Sequence, residues 1–143
     1  MKMSRLLTLV LLSGFLLVGC GKPNEPESLK SQTTGGYSVV SKLATTAYAQ
    51  DIVIKDNLAY IAQGEGGLVI VDISDAENPQ TVSTTSYGVR GYCNKIEIKD
   101  TAVYLAAGSF GINVINVSDA DTPFVSVSNL GMKPAKDFHI MGN

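Results

Sequence analysis

The feature that most constrains the fold is an internal repeat of 44 residues. The segment DIVIKDNLAYIAQGEGGLVIVDISDAENP at 51–79 aligns without a gap with KIEIKDTAVYLAAGSFGINVINVSDADTP at 95–123. Twelve of the 29 aligned pairs are identical, and most of the others are conservative. A repeat of this length is one supersecondary unit, which buries its apolar surface against its neighbours in an array. The chain is therefore expected to stack similar units.

Each repeat unit is predicted to contain four β-strands. The isoleucines of DIVIK and KIEIK alternate, which is typical of a strand with one apolar face. LVIVDIS is apolar at successive positions, which indicates a strand buried on both faces. Strands are expected at 51–55, 58–63, 68–74 and 80–86, and again 44 residues later, with Ile70 and Val114 in the core.

Four antiparallel strands in about 44 residues describe one blade of a β-propeller. LAYIAQGEGGLVIVDISDAENP also resembles the LVIVD-repeat family, and the second copy keeps the pattern with Asn116 in place of Asp72. The resemblance covers roughly 48 to the end. It implies a bacterial or archaeal protein, often exported, of propeller fold and mostly without an assigned activity. The expected fold class is all-β, a partial β-propeller of two four-stranded blades and the start of a third.

The first residues, MKMSRLLTLVLLSGFLLVGC, predict an export signal. Lys2 and Arg5 precede an apolar stretch at 6–18, which is shorter than the roughly 20 residues that span a bilayer. LVGC resembles the lipobox of bacterial lipoproteins, which implies cleavage before Cys20 and attachment of lipid to that cysteine. The chain would then be anchored to the membrane through the lipid on Cys20, in a bacterial cell envelope. Gly21 follows the cysteine, and by the same resemblance this favours the outer membrane where the source has two.

These patterns divide the chain into a signal peptide at 1–19, a flexible tether at 20–36 and a partial propeller at 37–143. The repeat units are placed at about 45–88 and 89–132. DFHIMGN at 137–143 matches DIVIKDN at 51–57, so a truncated third unit is placed at 133–143. Open blade faces would favour self-association. Either the sequence is a fragment of a longer propeller, which is the interpretation we favour, or several copies complete a ring.

The composition and the motifs of the sequence argue against a nucleic-acid site, a cofactor site and a calcium site. The formal net charge is −2 without a basic run, so no nucleic-acid partner is expected. No cofactor-binding motif is present in the sequence, and no cofactor is expected. The acidic turns are interpreted as caps rather than as calcium sites, since no loop gathers the six to eight oxygens that calcium prefers. The residues concerned are Asp72, Asp75, Glu77, Asn116, Asp119 and Asp121.

Three further residue types are possible site residues. His139 lies in DFHIM and is expected on the exposed face of a strand, without a catalytic partner that the sequence identifies. Cys93 is interpreted as a partly buried apolar residue rather than a reactive thiol. Tyrosines recur at the repeat spacing and are interpreted as packing residues rather than as a sugar-stacking platform. These are Tyr48, Tyr60, Tyr92 and Tyr104.

The sequence supports three functional hypotheses. The first is a lipid-anchored, non-enzymatic module that binds an unknown protein or glycan partner. The second is an exported propeller enzyme that acts on glycans, with its active site supplied by blades beyond this sequence. The third is a structural component of an envelope complex, which the sequence does not separate from the first. No catalytic, cofactor-binding or metal-binding residue is predicted, and Cys20 is the one predicted modification site.

Overall fold

The computed structural model describes residues 38–128 and 133–141, and these residues contain eight β-strands and no helix. The first sheet has the order β1-β2-β3-β4 and the second β5-β6-β7-β8, with every neighbouring pair antiparallel. The strands are β1 (Asp51–Lys55), β2 (Leu58–Ala62), β3 (Leu68–Asp72), β4 (Gln80–Thr85), β5 (Lys95–Lys99), β6 (Ala102–Ala106), β7 (Ile112–Asn116) and β8 (Phe124–Val127). The predicted all-β class and the two four-stranded units are confirmed.

The two sheets reproduce each other in local detail. The β1–β2 and β5–β6 turns each place an aspartate, Asp56 and Asp100, at positive φ (56° and 53°), which aspartate tolerates better than most side chains. The pairing of the third and fourth strands shifts register between Ile70 and Val71, and at the equivalent place in the second sheet. Identical turn chemistry in the repeats therefore produces identical backbone irregularities.

One hydrophobic core joins the two sheets. We call the surface of a unit that points to the next unit its trailing face, and the opposite surface its leading face. The trailing face of the first unit contributes Tyr60, Ala62, Leu68 and Ile70 to this core. The leading face of the second contributes Ile96, Val103, Leu105, Ile115 and Val117. Ile70 is fully buried and Val114 is 9% exposed, so both core predictions are confirmed.

The leading face of the first unit differs from that of the second at its inner end. Ile52 and Ile54 on β1 are 53% and 59% exposed. Their repeat counterparts, Ile96 and Ile98, are 2% exposed and half-buried, because they pack against the first sheet. Equivalent residues thus differ in burial according to whether a neighbouring unit covers them.

Residues 133–141 follow the second sheet without forming a strand. Ala135 nevertheless makes a bridge with Gly108, as Cys93 does with Gly64. The expectation that His139 lies on a strand is wrong, although the residue is exposed as expected. An inner strand forms its ladder with the second strand of its own unit, and the described residues contain no such partner for 137–141.

Three predictions concern residues outside those that the structure describes. They are the signal peptide at 1–19, the lipidation site Cys20 and the tether at 20–36. From Val39 onward the chain belongs to one compact unit. Within the part of the chain that the structure describes, no helix has the length and apolarity needed to cross a membrane.

Candidate binding groove and inter-unit contacts

The acidic turns after the third strands are held by their own side chains. The carboxylate of Asp72 accepts a hydrogen bond from the Ser74 N–H at 2.8 Å, and Asn116 accepts the equivalent bond from Ser118 at 2.9 Å. Asp75 and Asp119 cap the following turn in the same way, accepting from the N–H groups of Glu77 and Asp121. The backbone hydrogen bond from Ser74 lowers the pKa of Asp72. The prediction of turn caps is confirmed for Asp72, Asp75, Asn116 and Asp119, whereas Glu77 and Asp121 contribute backbone N–H groups to these turns.

The inner strands of the two sheets are joined through a partly buried carboxylate. Asp51 accepts hydrogen bonds from the Ile96 N–H at 3.0 Å and from Lys95 Nζ at 3.2 Å. Burial alone would raise the pKa of Asp51, but these two donors outweigh it and leave the pKa below its ordinary value. The ion pair therefore also ties the backbone of β5 to β1.

A similar contact holds the segment after β8. Glu97 on β5 accepts from the Ile140 N–H at 2.7 Å and lies 2.9 Å from His139 Nδ1. Burial acts to raise the pKa of Glu97, and the hydrogen bonds from His139 and Ile140 bring it below its ordinary value. The imidazole is 80% exposed, so the pair is a surface contact. Both oxygens of Glu97 are used in positioning the chain.

Cys93 is more deeply placed than the sequence predicts. Its side chain is fully buried in the core between the sheets, and burial raises the pKa of the thiol to about 11. A thiol protonated at neutral pH is a poor nucleophile. The interpretation of Cys93 as a packing residue is confirmed.

The repeated tyrosines do not share one role. Tyr60 is buried at 4% exposure, whereas Tyr48 is 84% exposed. Tyr92 is 42% exposed, and its ring lies over Gly64, where an added Cβ would be 2.7 Å from Tyr92 Cζ. The prediction of packing tyrosines is wrong for Tyr48, because no preceding glycine turn covers it among the described residues.

A concave surface lined by both apolar and polar side chains lies between the outer strands of the two sheets. We call it the outer groove. It has a volume of about 520 Å³, within the range of small-ligand sites. Tyr87 (96% exposed) and Phe124 (56% exposed) project their rings at this surface. The other lining residues include Thr84, Ser86, Gly88, Val125 and Ser128.

The repeat pattern does not reveal the outer groove. Apart from Pro123, the residues that line the groove are positions where the repeats differ. Phe124 aligns with Gln80, and Tyr87 lies in the connection between the units. A search for unshared aromatic residues next to the outer strands would have found them.

The outer groove offers aromatic rings and hydroxyl groups but no acid–base or metal-binding cluster. Among residues 38–128 and 133–141, no three His, Cys, Asp or Glu side chains are grouped as a metal ion would require. Exposed rings bind apolar or sugar faces by stacking, and hydroxyl groups donate and accept hydrogen bonds at the rim. The described lining residues can therefore stack against an apolar or sugar face and hydrogen-bond to its polar groups.

Comparison with known proteins identifies the repeat of the first unit. The family model described as LVIVD repeat matches residues 47–85. This range contains the whole of β1 to β4, so the resemblance found in the sequence is confirmed for the first unit. The comparisons with curated proteins and with solved structures give no match.

Proposed function

We propose that this protein is a lipid-anchored component of the bacterial cell envelope that binds a protein or glycan partner without chemical turnover. Lipid on Cys20 holds it at the membrane, and the outer groove contacts the partner. The observation that carries the proposal is the pair of exposed rings, Tyr87 and Phe124, in a groove of about 520 Å³. Unshared aromatic residues at an exposed groove have no role in the stacking of the repeats.

The use of the other polar groups supports binding rather than catalysis. The carboxylates of Asp51, Asp72, Glu97 and Asp119 all accept backbone N–H groups that fix strands or turns. A general acid or base must instead reach a substrate proton. These side chains therefore serve the scaffold, and the groove rings remain for a ligand.

The groove is tested with the full chain in detergent against an array of envelope glycans and against envelope extract. Tyr87→Ala and Phe124→Ala should each weaken binding about tenfold or more, as for aromatic residues central to an interface. Tyr48→Ala is the control, because it removes a tyrosine that is 84% exposed and lies outside the groove, and it is compared at a dilution that excludes self-association. Glycan hydrolysis that Glu97→Gln abolishes would contradict the proposal and favour an exported glycan-cleaving enzyme.

The anchor is tested by growth with labelled palmitate. Label should enter the wild-type chain and be lost in Cys20→Ser, because the thiol is the proposed attachment point and two or three acyl chains are needed for stable anchoring. Cys93→Ser is the control and should keep the label. A mature protein that starts at another residue, or that leaves the membrane without detergent, would contradict the anchor.

A further inference from the structure

The contact between the two units has a distinctive inner end. The Tyr92 ring covers Gly64, and the backbones of Gly64 and Cys93 exchange two hydrogen bonds of 3.0 and 3.1 Å. Ile96 follows into the shared core at 2% exposure. A unit therefore docks on the trailing face of its predecessor by a tyrosine ring, a backbone bridge and an inner-strand isoleucine.

The first unit presents the same elements uncovered. Tyr48 is the repeat counterpart of Tyr92, and Ile52 and Ile54 are the counterparts of Ile96 and Ile98. Their exposed fractions are 84%, 53% and 59%. We call these three residues the free leading edge. Adjacent exposed apolar side chains of this size mark interaction surfaces.

The second unit presents the complementary position. Gly108 is the counterpart of Gly64, and among the described residues, its chain neighbours apart, no atom lies within 4 Å of where its Cβ would stand. The backbone of Gly108 is bridged to Ala135 by two hydrogen bonds of 2.8 Å, but Pro134 stands where a tyrosine would supply the ring. Residues 133–141 thus reproduce the backbone contacts of a docking unit without its aromatic contact.

We propose that the free leading edge of one copy docks on the trailing face of the second unit of another copy, in place of residues 133–141. The backbone bridge to Gly108 is exchanged from Ala135 to Ala49 of the incoming copy, and the hydrogen bonds of His139 and Ile140 to Glu97 are given up with the displaced segment. The gain is burial of the Tyr48 ring and of two isoleucines.

This inference goes beyond the proposed function, which requires no second copy. The interface is heterologous, since it joins two different surfaces of the same chain. Such contacts close into rings or extend as filaments. Each copy contributes two four-stranded sheets.

The direct test is the mass of the full chain in detergent, measured by sedimentation over a range of concentrations. The wild type should associate into dimers or larger species, and Tyr48→Ala combined with Ile54→Asp should be monomeric. Both residues are exposed, so the variant should fold, which its circular dichroism checks. Tyr87→Ala, the matched control in the outer groove, should associate like the wild type. A monomeric wild type, or an equal effect of the double substitution and of Tyr87→Ala on association, would overturn the proposal.

Mixing separates this interface from a symmetric one. Gly108→Asn should fold, because asparagine tolerates the positive φ of 58° and no atom of the described residues, chain neighbours apart, lies within 4 Å of the Cβ position. The asparagine side chain would obstruct the incoming Tyr48 ring. The Gly108→Asn variant and the Tyr48→Ala, Ile54→Asp variant should each be monomeric alone. An equimolar mixture of the two should form dimers, because the first keeps an intact leading edge and the second keeps an intact trailing face. A mixture that stays monomeric would contradict the proposal. Partner binding through Tyr87 is measured separately, so failure here leaves the proposed function standing.

Discussion

At the scale of single residues, equivalent positions in the two repeats have different neighbours. Gly64 and Gly108 both have positive φ, 53° and 58°, so a side chain at either position strains the backbone. Gly64 has the ring of Tyr92 above it, whereas no ring of the described residues lies within 4 Å of the Cβ position of Gly108. The pair therefore separates the cost of backbone strain from the cost of a steric clash.

Replacement of each glycine by alanine tests this difference. Gly108→Ala should lower the free energy of unfolding by about 1–2 kcal/mol through backbone strain. Gly64→Ala should lower it by about 1–3 kcal/mol more, because Cβ would displace the Tyr92 ring. Urea unfolding measures both values. In a Tyr92→Ala background the two substitutions should have similar effects, and a difference that persists there would show that the ring is not its cause.

Residue roles were predictable where a side chain acts on its own turn. Asp72 and Asn116 cap the turns that follow them, because an Asx side chain reaches an N–H two residues ahead whatever the tertiary fold. Tyr48 was not predictable from the repeat, since its burial depends on a neighbouring unit rather than on its own. Repetition predicts the conformation of a residue better than its exposure.

At the scale of elements, β1 and β5 are connected by Asp51, which accepts from the β5 backbone and from Lys95. Because the pKa of Asp51 is lowered in the folded chain, its carboxylate contributes stability above its unfolded pKa, near 3.8. This contribution is lost as the pH falls through the lower folded pKa. Acid should therefore loosen the contact between the inner strands.

Asp51→Asn tests this linkage. Near neutral pH the variant should be less stable by about 1 kcal/mol, a value reduced for the partial exposure of the ion pair. The difference from wild type should shrink as the pH falls below about 4, where wild-type Asp51 also becomes protonated. Urea unfolding at a series of pH values measures it. Asp121→Asn, which removes an exposed charge, is the control and should change stability by less than about 0.5 kcal/mol. A pH-independent effect of Asp51→Asn would show that the ionised carboxylate is not the source of the stability.

All eight strands were predictable from the sequence, and the predicted ends run at most three residues past the observed ones. The apolar run of β3 and the alternation of β1 give distinct periodicities, and the repeat confirms each by a second copy. The segment 137–141 has the same pattern but forms no strand. A strand requires a partner for its backbone groups, which side-chain periodicity does not report.

At the scale of the whole molecule, the two sheets share one core, with Ile70 from the first and Ile115 from the second both fully buried. Stability in such arrays depends on unit interfaces as much as on the units themselves. The outer groove also belongs to this scale, because residues of both sheets line it. The groove does not follow from the repeat pattern, which records only what the units share.

The two repeat units pack through a single core, and the reactivity of Cys93 reports on that core directly. In a Cys20→Ser background Cys93 is the sole cysteine, buried with a pKa raised to about 11. Labelling by a thiol reagent should therefore require opening of the core, at a rate set by the free energy of opening. Ile70→Ala removes about 2–5 kcal/mol of packing, although Ile70 belongs to the other unit.

Ile70→Ala should accelerate Cys93 labelling by about 30-fold to several thousand-fold under native conditions. Ile54→Ala, a matched substitution at an exposed position of the same sheet, should change the rate by less than about threefold when both chains are measured at a dilution that keeps them monomeric. Rapid labelling of the chain without these substitutions, or equal effects of Ile70→Ala and Ile54→Ala, would contradict a core shared between the two units.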